Sequence, residues 1–320
     1  MSRLSSALRE WNRRAKSQRG RLRTRWQAKR LASHGHWLPA PISPGIGYVT
    51  DGLDDAVSEA CTRLRLTLVD QPKSGYQNKS RGATVRAANG TLCWLKVTGI
   101  GTGATAEWLR AGEESADGIR DVPKPSTLKI EDWSAGGTRW RAVLMTLAPS
   151  GALAPSPNDF PKADSISDAW IGELKASLHS IGRLPPPRQK FDPKWVSRLL
   201  AERFKLNATI RTEEWRTAHG DLQWSNLTAP KLTLLDWESW GAAPRGYDAA
   251  RLIAFSCASP ALVERLRAAF AEEIDTPSGR VTQLFACAEM LAAIESGTFN
   301  PLLHQPTEQF ALRTLRAHLA

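Results

Sequence analysis

The hydrophobic pattern of the sequence changes near residue 149, and this change limits the folds that the chain can adopt. Before that point short strand-like runs dominate, and Asn89-Gly90 between two of them predicts a tight hairpin. After it, apolar residues recur at helical spacing, as Trp170 and Leu174 do within residues 167–181. We therefore predict an α+β protein with a small antiparallel β-lobe followed by a larger, mainly helical lobe.

The individual elements can be placed from apolar spacing and from the positions of proline and glycine. Strands are predicted at residues 65–69, 83–88, 91–98, 126–132 and 139–147. Helices are predicted at residues 56–64, within 104–119, and at 167–181, 196–210, 260–271, 281–295 and 307–319. A Pro/Ser/Gly-rich stretch begins near residue 149, so we predict an N-lobe at 37–148 and a C-lobe at 149–320.

Nearly all of the formal net charge of +11 lies at the start of the chain. Residues 1–36 hold eleven Lys and Arg against the single acid Glu10, which leaves a charge of +1 for the other 284 residues. Apolar residues such as Trp11 and Trp26 between the basic ones predict a basic helical arm. We expect the arm to dock on the protein's own body, because burying large apolar rings is favourable. Nucleic acid and an anionic membrane surface are its alternative partners.

The cysteines and the apolar runs exclude several classes of protein. The four cysteines, at positions 61, 93, 257 and 287, include no C-x-x-C pair, which argues against a zinc site or a disulfide framework. No apolar run is long enough to predict a membrane span, and no secretory signal is predicted. We expect a cytoplasmic protein.

Carboxylate and amide residues cluster shortly before residue 240. Asp221 is predicted on a loop, Asn226 follows five residues later, and Asp236 ends a predicted apolar strand at 232–235. Phosphoryl transfer from a nucleotide depends on positioning and charge neutralisation. One carboxylate must receive the proton of the acceptor hydroxyl, while another carboxylate and a neutral oxygen hold Mg²⁺, which prefers hard oxygen ligands. These three residues meet those needs.

Three short motifs follow one another in this region: His-Gly-Asp-Leu-x-x-x-Asn at 219–226, Asp-Trp-Glu at 236–238 and Gly-x-Asp at 246–248. In this order they resemble the aminoglycoside and choline phosphotransferase superfamily, whose members have the two-lobed fold of protein kinases. The matching block spans residues 218–253, about a tenth of the chain. The resemblance implies an enzyme that uses ATP and Mg²⁺.

The resemblance also implies roles for individual residues. Asp221 corresponds to the catalytic base, and His219 helps to fix the loop that carries it. Asn226 and Asp236 correspond to the metal ligands. Asp248 would tie the catalytic loop down from the N-terminus of a helix.

A kinase-like N-lobe needs a lysine on its third strand for the nucleotide phosphates, paired with a glutamate on the next helix. Lys96, in an otherwise apolar strand, is the candidate lysine, and both Glu107 and Glu113 are candidates for the glutamate. The adenine base is expected against Met145 and Leu147, where the β-lobe ends. Since no G-x-G-x-x-G loop precedes Lys96, the contacts that cover the phosphates stay unassigned.

The acceptor is expected to be small. Eleven residues separate Asp236 from Asp248, too few for the activation segment of a protein kinase. We expect transfer of the γ-phosphate of ATP to a hydroxyl of a small molecule such as an antibiotic, a sugar or a nucleoside. Kinases of this class bind polycationic aminoglycosides in acidic pockets, but residues 149–320 hold nineteen acidic and nineteen basic residues.

Two further features bear on function. Three tryptophans lie beside the predicted catalytic residues, namely Trp224, Trp237 and Trp240. Exposed rings there could stack on a sugar or a nucleoside, but most of the thirteen tryptophans of the chain must belong to the core. The alternatives to a small-molecule kinase are a catalytically silent, nucleotide-binding regulatory protein and a polyanion-binding protein that acts through its basic arm.

Overall fold

The structure is a computed structural model that describes residues 47–100, 112 and 114–320. In these residues an antiparallel sheet precedes a mainly helical region, which confirms the predicted α+β, two-lobed fold. The basic arm predicted within residues 1–36 lies outside the described residues, and so do the two candidate glutamates, Glu107 and Glu113.

One antiparallel sheet forms the N-lobe in the described part of the chain. Its strands are β1 (Tyr48–Val49), β2 (Thr67–Leu68), β3 (Lys73–Ser74), β4 (Ser80–Arg86), β5 (Leu92–Ile100), β6 (Thr127–Ala135) and β7 (Thr138–Thr146). The main order is β2-β4-β5-β7-β6, while β1 pairs with β5 and β3 pairs with β4. The predicted hairpin joins β4 to β5, and its Gly90 has a φ of +87°, which favours glycine.

The two faces of this sheet serve different purposes. Helix α1 (Leu53–Leu64) covers one face, where Val57 packs in one apolar cluster with Leu95 and Val97 of β5. Because side chains alternate along a strand, Lys96 lies on the opposite face. From that face its ammonium group reaches the C-lobe.

The C-lobe is built around one buried helix. Its helices are α2 (Asp168–Gly182), α3 (Pro193–Phe204), α4 (Tyr247–Phe255), α5 (Pro260–Ile274), α6 (Pro277–Glu295) and α7 (His304–Leu319). Residues 281–294 of α6 are all buried, and α6 contacts α3, α4, α5 and α7. A helix that is apolar on every side belongs in the centre of a core, so α6 is the axis of the lobe.

Helix boundaries differ from the predicted ones where capping residues decide them. Helix α3 was expected to run to residue 210, but it ends at Phe204 because Lys205 adopts a left-handed conformation and its N–H closes the last turn. Helix α6 begins earlier than expected, at Pro277, because the side chain of Thr276 accepts a hydrogen bond from Gly279 N–H.

The strand predicted at 232–235 is wrong as a regular strand. That segment makes a single bridge, between Leu234 and Leu227, and the strands of this region are instead β8 (Trp215–Ala218) and β9 (Gly241–Pro244). The apolar run is explained by burial, since Leu232 and Leu234 are both fully buried in the C-lobe core.

Among the described residues no helix is long and apolar enough to cross a membrane. The four cysteines, at positions 61, 93, 257 and 287, are all free thiols.

Candidate active site

The loop 219–226 follows β8 and is hydrogen-bonded to helix α4. The carboxylate of Asp248, in the first turn of α4, accepts the N–H of His219 at 2.7 Å and the N–H of Gly220 at 2.9 Å. Asp248 is buried, so these two charge-assisted bonds are shielded from water. The start of the loop is therefore fixed to the C-lobe by its backbone.

The ring of His219 fixes the same loop from the side. Its Nε2 lies 2.9 Å from the carbonyl oxygen of Leu235, and its Nδ1 lies 3.4 Å from the backbone nitrogen of Asp221. The tautomer that satisfies both contacts donates from Nε2 and accepts at Nδ1. Burial lowers the pKa of His219, which favours the neutral ring. This arrangement suits a residue that orients Asp221 better than one that carries protons.

Gly220 is at a position where only glycine fits. Its φ is +83°, and an added Cβ would lie 2.4 Å from the carbonyl oxygen of Ser239 and 2.8 Å from Cδ of Lys190. The loop therefore passes directly over Ser239 and the buried stem of Lys190.

We expect Gly220→Ala to destabilise the protein more than Gly90→Ala does. Gly90 has a similar φ of +87° but no atom within 4 Å of its added Cβ, so its variant carries only the backbone strain of about 1–2 kcal/mol. Gly220→Ala should cost about 1–3 kcal/mol more, because atoms must move to make room. Urea denaturation of both variants measures the difference, and equal losses would contradict this packing.

The carboxylate of Asp221 is held at both oxygens. Arg251, one turn beyond Asp248 on α4, donates from Nη2 to Oδ1 at 2.7 Å. Asn226 donates from Nδ2 to the backbone oxygen of Asp221 at 2.9 Å and more weakly to its Oδ2 at 3.3 Å. The amide oxygen of Asn226 is thereby turned away from Asp221. Of the two carboxylate oxygens, Oδ2 is the one less strongly engaged.

Asp236 meets Lys96 across the two lobes. Nζ of Lys96 lies 2.7 Å from Oδ1 of Asp236 and 2.7 Å from Oε2 of Glu238, although the residues are 140 and 142 positions apart in the sequence. Burial raises the pKa of Asp236, but the charge and hydrogen bond of Lys96 outweigh this and hold the pKa below its usual value. Asp236 adopts a left-handed φ of +65°, and its side chain is about a third exposed.

The donor atoms around Asp236 fit Mg²⁺. Asp236 contributes a carboxylate, and Asn226 contributes an amide oxygen whose own nitrogen is anchored to Asp221. The two segments are adjacent, because Leu235 N–H donates to the carbonyl oxygen of Asn226 at 2.9 Å. Both side chains offer hard oxygens, which is the ligand type that Mg²⁺ prefers.

The residues expected around the adenine lie away from these charges. Met145 pairs with Trp94 in register and therefore shares the sheet face of Lys96. Leu147 follows β7 and is 37% exposed. Neither belongs to the lining of the cavity around Asp221, as far as the chain is described.

The structure places the three tryptophans in the core, as expected of most tryptophans of the chain, and they are not exposed for stacking. They are buried, and each indole N–H is bonded within the C-lobe or to Gly112: Trp224 to Ser256 Oγ, Trp237 to the oxygen of Leu234, and Trp240 to the oxygen of Gly112. Trp237 also packs edge-on against His219. Their buried rings support the loop 219–226 from the side of the C-lobe core.

A cavity of about 310 Å³ lies at the candidate site. Residues of both lobes line it, among them the predicted Lys96, Asp221 and Asp236. The lining also includes residues that sequence reasoning missed: Lys79, Gln223, Glu238, Arg251 and Glu289. A charged residue within the apolar run of α4 is a signal that could have pointed to Arg251.

Comparison with known proteins supports the fold. No protein-family model matches the sequence, and no curated protein sequence matches it. Among solved structures, aminoglycoside phosphotransferase APH(4)-Ia matches with a TM-score of 0.55 and 14% identity, covering 82% of this chain and 98% of that one. A thermostable mutant of that protein in a ternary complex with ADP and hygromycin B also has a TM-score of 0.55 and 14% identity, covering 84% and 99%. The chain therefore has the fold of the aminoglycoside phosphotransferases.

Proposed function

We propose that the protein is an ATP-dependent phosphotransferase that acts on a hydroxyl group of a small molecule. The observation that carries this proposal is the meeting of Lys96, Asp236 and Asp221 in one cavity between the lobes. A cation for phosphates, a carboxylate for a metal and a carboxylate for the acceptor are the charges that phosphoryl transfer requires. The fold supports the proposal, and so does the order of the motifs in the sequence.

In this proposal each residue has one task. Lys96 binds nucleotide phosphates, and Asp236 with Asn226 holds Mg²⁺, which neutralises phosphate charge when it is bound. Asp221 receives the proton of the acceptor hydroxyl through Oδ2. The bond between the acceptor oxygen and the γ-phosphorus forms as the bond between that phosphorus and the β–γ bridging oxygen breaks, and ADP leaves.

Arg251 has a positioning task in the same scheme. Its 2.7 Å contact with Oδ1 of Asp221 leaves Oδ2 for the incoming hydroxyl. Because Arg251 holds Oδ1, the orientation of the carboxylate and therefore of Oδ2 is fixed. Such fixed orientation lowers the entropic cost of reaching the reactive geometry.

The assay that tests the proposal follows γ-labelled ATP with Mg²⁺ and a panel of antibiotics, sugars and nucleosides. We expect label to appear in a phosphorylated small molecule. Tight nucleotide binding with no ADP formation, with or without any acceptor, would support the silent regulatory alternative and overturn the proposal.

We expect Lys96→Met to lower kcat/KM for ATP by about 10- to 100-fold, because a cation that contacts the phosphates is lost. Lys129→Met is the matched control, since Lys129 is an exposed lysine of β6 in the same sheet. Steady-state kinetics of both variants measures the effect. A kcat/KM equal to that of the control would show that Lys96 does not act on the nucleotide phosphates.

A further inference from the structure

Part of the cavity is built mainly by the C-lobe, with Tyr76 of the N-lobe packed 6.0 Å from Phe299 between ring centroids, and its chemistry bears on the acceptor. Helix α6 contributes Ala286, Glu289, Met290 and Ala293, whose spacing places them on one face of the helix. Other lining residues of this region are Pro157, Gln223, Arg251, Ala254, Phe255, Thr298 and Phe299. We call this region the acceptor pocket, because it adjoins Asp221 and Arg251 on the side formed by α4 and α6.

The walls of the acceptor pocket are mostly apolar. Phe255 and Phe299 pack edge-on, with ring centroids 5.2 Å apart. Met290 and Ala293 of α6 also line the pocket. Such walls bind a ligand by removing its apolar surface from water, at about 25 cal/mol per Å². A ligand that presents only hydroxyl and ammonium groups gains little there and loses hydration.

The charges of the acceptor pocket are balanced. Besides Asp221, the carboxylate that lines this region in the described chain is that of Glu289, and Asp221 is already paired with Arg251. Burial raises the pKa of Glu289, and the positive charges of Arg251 and Lys190 oppose this shift. Since Arg251 and Lys190 lie close to both carboxylates, the described residues of the pocket form no cluster of uncompensated negative charge that would attract a polycation.

Three polar atoms of the pocket's residues have no hydrogen-bond partner within the described chain: Oε1 of Gln223, Oε2 of Glu289 and Nε of Arg251. Gln223 is 7% exposed and Glu289 is 6% exposed. A buried polar atom without a partner costs free energy, so such atoms mark places where a ligand supplies the missing hydrogen bond. Two of the three are acceptors, which suits a ligand with hydroxyl or amide N–H groups along one edge.

We propose that the acceptor is a compact amphiphilic alcohol with one apolar face, a polar edge of hydrogen-bond donors and at most one positive charge. This inference rests on the proposed phosphotransferase function and specifies its substrate class. Nucleosides, aryl glycosides and hydroxylated lactones with a single amine have this chemistry, whereas polycationic aminosugars do not.

Transfer of labelled phosphate to three sets of compounds tests the substrate class. Phenyl glucoside and uridine represent the proposed class, methyl glucoside lacks the apolar face, and kanamycin is a polycation. We expect transfer to at least one member of the first set, with an acceptor KM that changes less than about threefold between 50 and 300 mM salt. Preference for kanamycin, or a KM that rises steeply with salt, would overturn the inference.

Failure of this inference differs from failure of the proposed function. Mg²⁺-dependent ADP formation without transfer to any of these compounds would contradict the substrate class and leave the kinase assignment standing. Absence of both nucleotide binding and ADP formation would contradict the kinase assignment itself.

A filled pocket gives an independent test. We expect Ala293→Leu to raise the acceptor KM at least about tenfold, because the added side chain occupies the apolar wall. Ala268→Leu is the control, since Ala268 is an exposed residue of α5 that receives the same added volume. Melting temperatures of both variants show whether the change acts through folding. An acceptor KM for Ala293→Leu equal to that of the control would contradict the placement of the acceptor.

Discussion

Replacing Asp221 with asparagine should lower kcat by about 10²-fold or more and leave nucleotide affinity nearly unchanged. Asparagine keeps the shape of the side chain and can still accept from Arg251, but it cannot receive the proton of an acceptor hydroxyl. Steady-state turnover together with nucleotide titration separates the two effects. The loss of activity is expected in kcat, because the proton is transferred in the chemical step.

The control for this variant is Asp51→Asn, which removes the same charge from an exposed turn. A melting temperature close to that of the control would show that the loss of charge beside Arg251 has not unfolded the loop. Near-normal turnover by the Asp221→Asn protein would mean that another group receives the proton.

Replacing Asp236 with asparagine should lower kcat/KM by about 10²- to 10³-fold, the range found when one charge-stabilising group of a transition state is removed. In the nucleotide-free protein Lys96 keeps its contact with Glu238, so the cleft between the lobes is not expected to open. The Mg²⁺ concentration needed for half-maximal activity should rise in parallel, because a carboxylate ligand is lost. Unchanged activity and an unchanged Mg²⁺ requirement would exclude Asp236 as a metal ligand.

A candidate catalytic segment could be predicted from the sequence because its signals are local. His219, Asp221, Asn226, Asp236 and Asp248 lie within thirty residues, in three short motifs. The fold class followed from the change of hydrophobic period, which depends on neighbouring residues alone. The roles of these residues stay predictions until activity is measured.

Partners from distant segments could not be predicted in the same way. The contacts of Lys96 with Asp236 and Glu238 depend on how the two lobes meet, and no spacing in the sequence reports this. Glu289 lies in an apolar helix near the end of the chain, and only packing against α4 brings it to the cavity with Arg251. Tertiary packing therefore decides which charges surround Asp221, the proposed catalytic base.

Whether the tryptophans near the site belong to the core or contact a ligand could not be decided from the sequence for a related reason. Proximity in sequence placed Trp224 and Trp237 beside the catalytic residues, but the loop directs its polar groups toward the cavity and its large rings toward the core. Large aromatic side chains gain most when they are buried, and both indole N–H groups find partners there.

A crystal structure with Mg²⁺ and the non-hydrolysable ATP analogue AMP-PNP tests the central claim most directly. The proposed function predicts that the phosphates lie in the cavity beside Lys96, and that oxygens of Asn226 and Asp236 approach one Mg²⁺ at about 2.0–2.1 Å. It also predicts that the terminal phosphate faces Asp221. A nucleotide bound elsewhere, or in the cavity with Asn226 and Asp236 both directed away from its phosphates, would contradict the assignment.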